Sequence, residues 1–253
     1  MTTLRGHHAI VTGGGRGIGR AIAASLTKAQ AVVTVFGRTR QTLDDAVAGS
    51  DAAACEIVDV TDKDQVEQKL ADAARARGPI SILVNNAGSA LTAPFAKTNP
   101  SDFLAMFSVH VMGAVYTTRA VLPSMVERGF GRVVNIASTA GLKGYGYVSA
   151  YCTAKHALVG LTRSLAAEVA KSGVTVNAVC PGYTETDMVA EGIDRIAAKT
   201  GRTRESALAA MVGTSPLGRL IRPEEVAASV LFLCSPEAAA VTGTTIAVAG
   251  GEV

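Results

Sequence analysis

Residues 8–19 read HAIVTGGGRGIG, an apolar run of strand character that passes straight into glycines and then into a helical pattern, Ile18 to Lys28. Glycine permits a tight turn and a close backbone approach, and free N–H groups at a helix start attract negative charge, so a phosphate is the natural guest of such a turn. Its place between a first strand and a first helix gives the turn a meaning that composition alone would not. A triphosphate-binding loop needs a lysine and a hydroxyl after its second glycine. Gly14 and Gly19 have that spacing, but Arg20 and Ala21 follow, so no triphosphate or Mg²⁺ site is supported. The GxGxxG pattern is absent in every register, and Gly13-xxx-Gly17-x-Gly19 stands in its place.

Outward from that turn, short β-branched runs at 31–36, 54–58, 80–86, 132–138, 174–180 and 244–249 join the run at 8–12. Most are nearly continuous in apolar residues, as strands covered on both faces are. Helical spacing fills 18–28, 62–77, 102–128, 150–171 and 223–234, and Pro223 with two glutamates after it suits a helix start. The alternation predicts an α/β fold: a Rossmann-like doubly wound parallel sheet of about seven strands with helices on both faces, one domain over 1–253. Residues 183–218 break the rhythm with a polar, alanine-rich insert after a strand's carboxyl end, where such sheets bind ligands. The insert reads as a substrate lid or as a surface pair of helices.

The chain has 253 residues, 48% of them hydrophobic, which is ample for one large core. A net charge of +3 with scattered basic residues leaves no footprint for nucleic acid. The N-terminal stretch lacks a signal peptide's apolar core and no apolar run reaches membrane length, so a cytoplasmic location is expected. Cys55, Cys152, Cys180 and Cys234 form no CxxC pair, which points to free thiols in a reducing compartment and to no metal.

The second strand bears on the nucleotide. A site for NAD ends that strand with an acid that holds the ribose hydroxyls. Here it ends Phe36-Gly37-Arg38, with no acid until Asp44. Arg38, with Arg16 in the glycine turn, suits a 2′-phosphate, because a planar guanidinium grips such an anion at two points. NADP(H) is therefore the expected cofactor, with NAD(H) as the alternative and two solvated surface arginines as the bland reading.

These residues resemble the short-chain dehydrogenases/reductases along nearly the whole chain. Thr12-Gly13-xxx-Gly17-Ile18-Gly19, with Gly15 and Arg16 inside it, is similar to the family's cofactor loop. Asp59-Val60 resembles its adenine contact, and Asn85-Asn86-Ala87-Gly88 its strand-four motif. Asn135-Ile136-Ala137-Ser138 would carry the catalytic serine, and Tyr151-Cys152-Thr153-Ala154-Lys155 is similar to the Tyr-xxx-Lys active site. Pro181-Gly182, with Thr184 and Thr186, resembles the segment flanking the nicotinamide. The resemblance also implies a homotetramer, with the 102–128 and 150–171 helices packed between subunits. Two positions depart from the pattern: Gln30-Ala31 stands where the family has Gly-Ala, and His110, in SVHVMG (108–113), stands where it has the asparagine of a Ser-Tyr-Lys-Asn tetrad.

Tyr151 and Lys155 lie four apart and share a helix face. A phenol with an ordinary pKa of about 10 exchanges protons poorly at neutral pH, and the ammonium of Lys155 together with an oxidised nicotinamide would lower it. Tyr151 then serves as acid or base toward an alkoxide oxygen, Ser138 hydrogen-bonds that oxygen, and Lys155 also holds the ribose. His110 is either a satisfied core residue or a substitute in the proton relay, since a neutral imidazole has one donor and one acceptor for a water. The expected reaction is interconversion of a ketone and a secondary alcohol. An enoyl reductase of this fold would show Tyr-x6-Lys, which is absent. The alternatives are an NAD-dependent 3-hydroxyacyl dehydrogenase working oxidatively, or a nucleotide-binding protein impaired by His110.

Leu142, Tyr145, Tyr147 and Val148 either wall an apolar substrate pocket or pack on neighbours. Met188, Val189, Leu208 and Met211 beside Lys199, Arg202 and Arg204 would suit a 3-oxoacyl thioester such as a CoA ester, and a solvated helix explains the charges equally well. Reductases acting on acyl carrier protein often carry arginine where this chain has Gly129 and Ser172, so an apolar ketone or CoA ester is favoured as substrate.

Overall fold

The protein is described by a computed structural model over residues 3–213 and 215–253. Seven strands form one sheet: β1 (His8–Thr12), β2 (Val32–Gly37), β3 (Ala54–Ile57), β4 (Ile80–Asn85), β5 (Gly131–Ile136), β6 (Val174–Pro181) and β7 (Thr245–Val248). Their order is β3-β2-β1-β4-β5-β6-β7, every pair parallel. The order reverses between β1 and β4, so a crevice opens at their carboxyl ends, where the glycine turn lies.

Side chains alternate along the strands, and in β1, β4, β5 and β6 both sets are buried. Val11, Val35, Val84, Val134 and Val179 meet Ile22 and Leu26 of α1 (Gly17–Lys28) and Val226, Val230 and Leu233 of α9 (Pro223–Cys234). Ile10, Phe36, Leu83, Val133 and Val176 meet the other layer: α3 (Lys63–Arg77), α5 (Gly113–Glu127) and α6 (Ser149–Val169) through Val66, Leu70, Val121, Met125 and Val169. Each such side chain contributes about 1.5–3 kcal/mol on burial, which is why the strands carry no polar face. The doubly wound architecture expected from the pattern is the one observed.

Some elements escape the pattern. The short α2 (Arg40–Ala48) buries only Leu43 and Ala46. The insert holds two helices, α7 (Asp187–Thr200) and α8 (Arg204–Val212). The helix expected over 102–128 begins at Pro100 as α4 (Pro100–Phe107), behind an Asn99–Asp102 capping box, and reaches α5 only after a π-helical turn at Ser108–Met112. Gln30 adopts φ 71°, a left-handed conformation that glycine takes at no steric cost. Its side-chain oxygen is held by Arg5 Nε at 3.3 Å and by the Thr3 hydroxyl at 3.2 Å. Among the described residues no helix is long and apolar enough to cross a membrane, and no cluster of three metal-ligating side chains occurs.

Candidate active site

The glycine turn is built for close approach. Gly13 takes φ 64°, and a Cβ on Gly19 would fall 2.2 Å from the Gly13 carbonyl oxygen. Asn86 Nδ2 donates to the carbonyls of Thr12 at 3.0 Å and Gly13 at 3.2 Å. In return the Thr12 hydroxyl accepts the backbone N–H groups of Asn86 and Ala87, each at 3.0 Å. Asn86 thus holds the turn in shape. No side chain caps α1 and no acid lies in its first turn, so its amides face an incoming anion. Gly15 packs on Thr42 of α2, and Ile18 packs into the core. Thr186 abuts Gly17, whose added Cβ would lie 3.1 Å from Thr186 Cγ2, and this brings the segment after β6 to the turn.

Around this cradle, Arg38 is exposed at the end of β2, and exposed Arg16 reaches to 3.8 Å from the Asp187 carboxylate. Asp59 Oδ1 accepts the backbone N–H of Thr61 at 2.9 Å and its hydroxyl at 2.8 Å. The backbone bond, above all, holds the Asp59 carboxyl below its ordinary range. Thr184 and Thr186 bond backbone carbonyls within their own segment, Gly182 O at 3.0 Å and Thr184 O at 3.3 Å. The cradle that a Cβ would fill, the uncapped helix start and the two exposed arginines fit a phosphorylated dinucleotide.

Ser138, just beyond β5, begins a 3₁₀ turn whose Ala140 N–H it accepts at 3.1 Å. Tyr151 and Lys155 stand one turn apart on α6, with Lys155 Nζ 5.5 Å from the centre of the Tyr151 ring. Lys155 is 4% exposed and donates to the Ile136 carbonyl at 2.8 Å. The three side chains expected from the sequence are therefore brought together. The protein's own groups by themselves do not draw the Tyr151 phenol down. Burial pushes the phenol up to about 12, and the opposing influence is the hydrogen bond with Ser138. Burial also lowers Lys155, to about 7.

His110 is 4% exposed within the π-helical turn. Its Nε2 bonds the Ser89 carbonyl at 2.8 Å, which makes Nε2 the donor and leaves Nδ1 the acceptor, buried without a protein partner. Burial, with Lys155 nearby, lowers its pKa to about 3. The ring lies over Gly88, where an added Cβ would sit 2.5 Å from His110 Cε1, so only glycine at 88 admits it. His110 also lines a cavity of about 10 Å³, shared with Thr12, Val60, Asn85, Ala87, Ile136 and Leu158, which is room for one water.

Sequence reasoning named Asn85 and Asn135 only as motif members and overlooked the network they form. Asn85 donates to Asn135 at 2.9 Å and Thr118 at 3.2 Å, and Asn135 donates to Thr162 at 2.8 Å, a buried network that fixes the ends of β4 and β5 against α5 and α6. An asparagine ending each of two neighbouring strands was the available signal. Tyr145 turns its hydroxyl to Thr139 and to Glu252, and Tyr147, at φ 68°, is 68% exposed. Of the basic residues in the insert, Arg204 is paired with Asp194 at 2.9 Å, while Lys199 and Arg202 are exposed.

The family described as enoyl-(acyl carrier protein) reductase matches residues 13–252. A D-beta-hydroxybutyrate dehydrogenase of Rhizobium meliloti (strain 1021) is 37% identical, over 96% of this chain and 97% of its own length. An acetoacetyl-CoA reductase of Shinella zoogloeoides is 36% identical, over 96% and 97%. Among solved structures, an actinorhodin polyketide ketoreductase with NADPH superposes with a TM-score of 0.94 at 36% identity, over 100% of this chain and 99% of that one.

Proposed function

This chain belongs to the short-chain dehydrogenase/reductase family, and within it we propose an NADP(H)-dependent enzyme that reduces the ketone of a 3-oxoacyl thioester or a similar apolar ketone to a secondary alcohol. That it is an oxidoreductase of ketones and alcohols follows from the family and its relatives. The observation that carries the reading is Tyr151 and Lys155 one helical turn apart, with Ser138 hydrogen-bonded to Tyr151. The four-residue spacing of Tyr151 and Lys155 favours carbonyl over enoyl reduction despite the description of the matching family.

Ser138 donates to the substrate oxygen and so stabilises charge that develops there. Tyr151, held protonated by burial, gives its proton to the same oxygen. When bound, the nicotinamide supplies the hydride and, once oxidised, a positive charge beside the phenol. Lys155 steadies the phenolate left behind and holds the ribose. Gly13, Gly15, Gly17, Ile18 and Gly19 with α1 would seat the pyrophosphate, and Arg16 and Arg38 the 2′-phosphate. Asp59 and Val60 would contact the adenine, and Ala87, Gly88, Pro181, Gly182, Thr184 and Thr186 the nicotinamide end. The NADPH-bound ketoreductase neighbour supports that preference.

His110 serves as a neutral relay member. Nδ1 accepts from a water in the small cavity, and Lys155 approaches the same cavity through the Ile136 carbonyl. The second reading, a packing residue that leaves the relay impaired, is favoured by its contact with the Tyr151 ring, 5.4 Å between centroids. Segment 183–218 acts as the lid over the substrate. Exposed Leu104 and Phe107 on α4 suit a face covered by a second copy in a homotetramer, which sedimentation at tetramer mass would bear out and a monomer would refute. Nicotinamide absorbance followed across a panel of 3-oxoesters and cyclic ketones tests the whole reading. NADPH consumption is expected, and no consumption of NADPH or NADH with any ketone would refute it.

A further inference from the structure

Beyond β7, at 249–253, lies a carboxylate that no motif singled out. The Glu252 side chain is 1% exposed, beneath the 142–148 loop that joins the Ser138 turn to α6. Its Oε1 accepts the Tyr145 hydroxyl at 2.7 Å, and the Thr139 hydroxyl lies 2.7 Å from that same Tyr145 oxygen, as its donor. Lys143 Nζ stands 3.3 Å from Oε1, donates to the Glu252 backbone carbonyl at 3.1 Å, and lies 5.1 Å from the centre of the Tyr145 ring. A buried anion is costly unless paired and hydrogen-bonded, and this one draws both kinds of partner from the same short loop. Gly144 and Gly146, on either side of Tyr145, have open space around them, so packing does not stiffen the loop at those points. Farther along the loop, the Tyr147 carbonyl accepts the Ala93 N–H at 2.9 Å. The cluster packs on the segment after β6: Gly182 lies against Glu252, an added Cβ falling 3.2 Å from Oε2, and the 142–148 loop runs on into α6, which carries Tyr151.

We infer that Glu252 is a positioning residue that sets substrate specificity: it fixes the 142–148 wall through Tyr145 and cancels the charge of Lys143, so that the wall favours an uncharged ketone over an anionic one. The inference rests on the ketone-reductase reading and adds to it the charge of the accepted substrate beside this wall.

The test compares ethyl acetoacetate, which is neutral, with acetoacetate, its anionic counterpart. Glu252→Gln keeps an acceptor for Tyr145 and frees the Lys143 charge, so the ratio of kcat/KM for acetoacetate over the ester rises by about tenfold. Lys143→Met, which leaves the carboxylate uncompensated, lowers the ratio, and the double variant returns it toward that of the unaltered protein. A residue that only supports the fold would change both substrates alike. An unchanged ratio in Glu252→Gln and in Lys143→Met would overturn the inference. Hydrogen exchange of 142–148 needs no turnover: Glu252→Ala speeds it by about tenfold, as expected when a clamp worth a charged hydrogen bond is lost. Unchanged exchange overturns the inference even if ketones are reduced, whereas faster exchange with no ketone reduced by the unaltered protein faults the ketone-reductase reading alone.

Discussion

The imidazole of His110 and the phenol ring of Tyr151 meet edge to face, 5.4 Å between centroids and 83° between planes. The contact joins a π-helical turn to the helix that carries Tyr151 and Lys155. It is available because residue 88 is glycine, over whose Cα the imidazole lies. A working relay requires an acceptor at this place, which the Nδ1 lone pair supplies.

Replacing His110 with asparagine, which also offers a donor and an acceptor, retains most turnover. His110→Leu keeps bulk but no polar atom, and kcat falls by about 10- to 100-fold with the ketone KM little changed. Because burial lowers His110 to about 3, kcat of the unaltered protein shows no inflection near 6.5 that His110→Asn removes. Steady-state kinetics across pH check both statements, and full activity in His110→Leu would return His110 to a packing role.

The same lowered pKa sets a stability window. Folded His110 stays neutral down to about 3, whereas the unfolded chain takes up the proton near the ordinary 6.5. Between those values the unfolded state binds more protons, so stability falls as pH falls from 6.5 toward 3 and is unaffected above 6.5. His110→Asn removes this loss, on the order of a few kcal/mol when complete. Calorimetry at pH 5 and pH 8 should find the variant's Tm gaining on the unaltered protein only at the lower pH.

Much of this site is legible in the sequence, and the reasons differ residue by residue. The glycine turn, Asn86 and the Tyr151–Lys155 spacing are readable because each is local: a few adjacent residues must meet one steric or helical condition. Asn85 with Asn135 is not, since the bond joins strands fifty residues apart. The π-helical turn at 108–112 is hidden because apolar periodicity runs through it unbroken, so a single helix is the natural expectation. Glu252 sits among small residues with no periodicity, and only the fold brings Lys143 and Tyr145 to it. The direction of the Tyr151 shift also needed the structure, because burial is its largest cause and burial is set by the fold.

The proposed nucleotide preference rests on Arg38, exposed just beyond β2. Arg38→Ala weakens NADPH binding by about tenfold or more and leaves NADH binding nearly unchanged, since only the former carries the 2′-phosphate a guanidinium grips. Fluorescence titration of both nucleotides measures this. Tighter binding of NADH than NADPH by the unaltered protein would contradict the assignment.

The central claim, hydride delivery to a ketone with Tyr151 supplying the proton, is tested most directly with NADPH deuterated at the transferring position and ethyl acetoacetate. Mass spectrometry of the product should show one deuterium on the new carbinol carbon with the unaltered protein. Tyr151→Phe should give product at least about a hundredfold more slowly while still binding NADPH. Undeuterated alcohol, or a Tyr151→Phe variant that turns over at the full rate, would contradict the account.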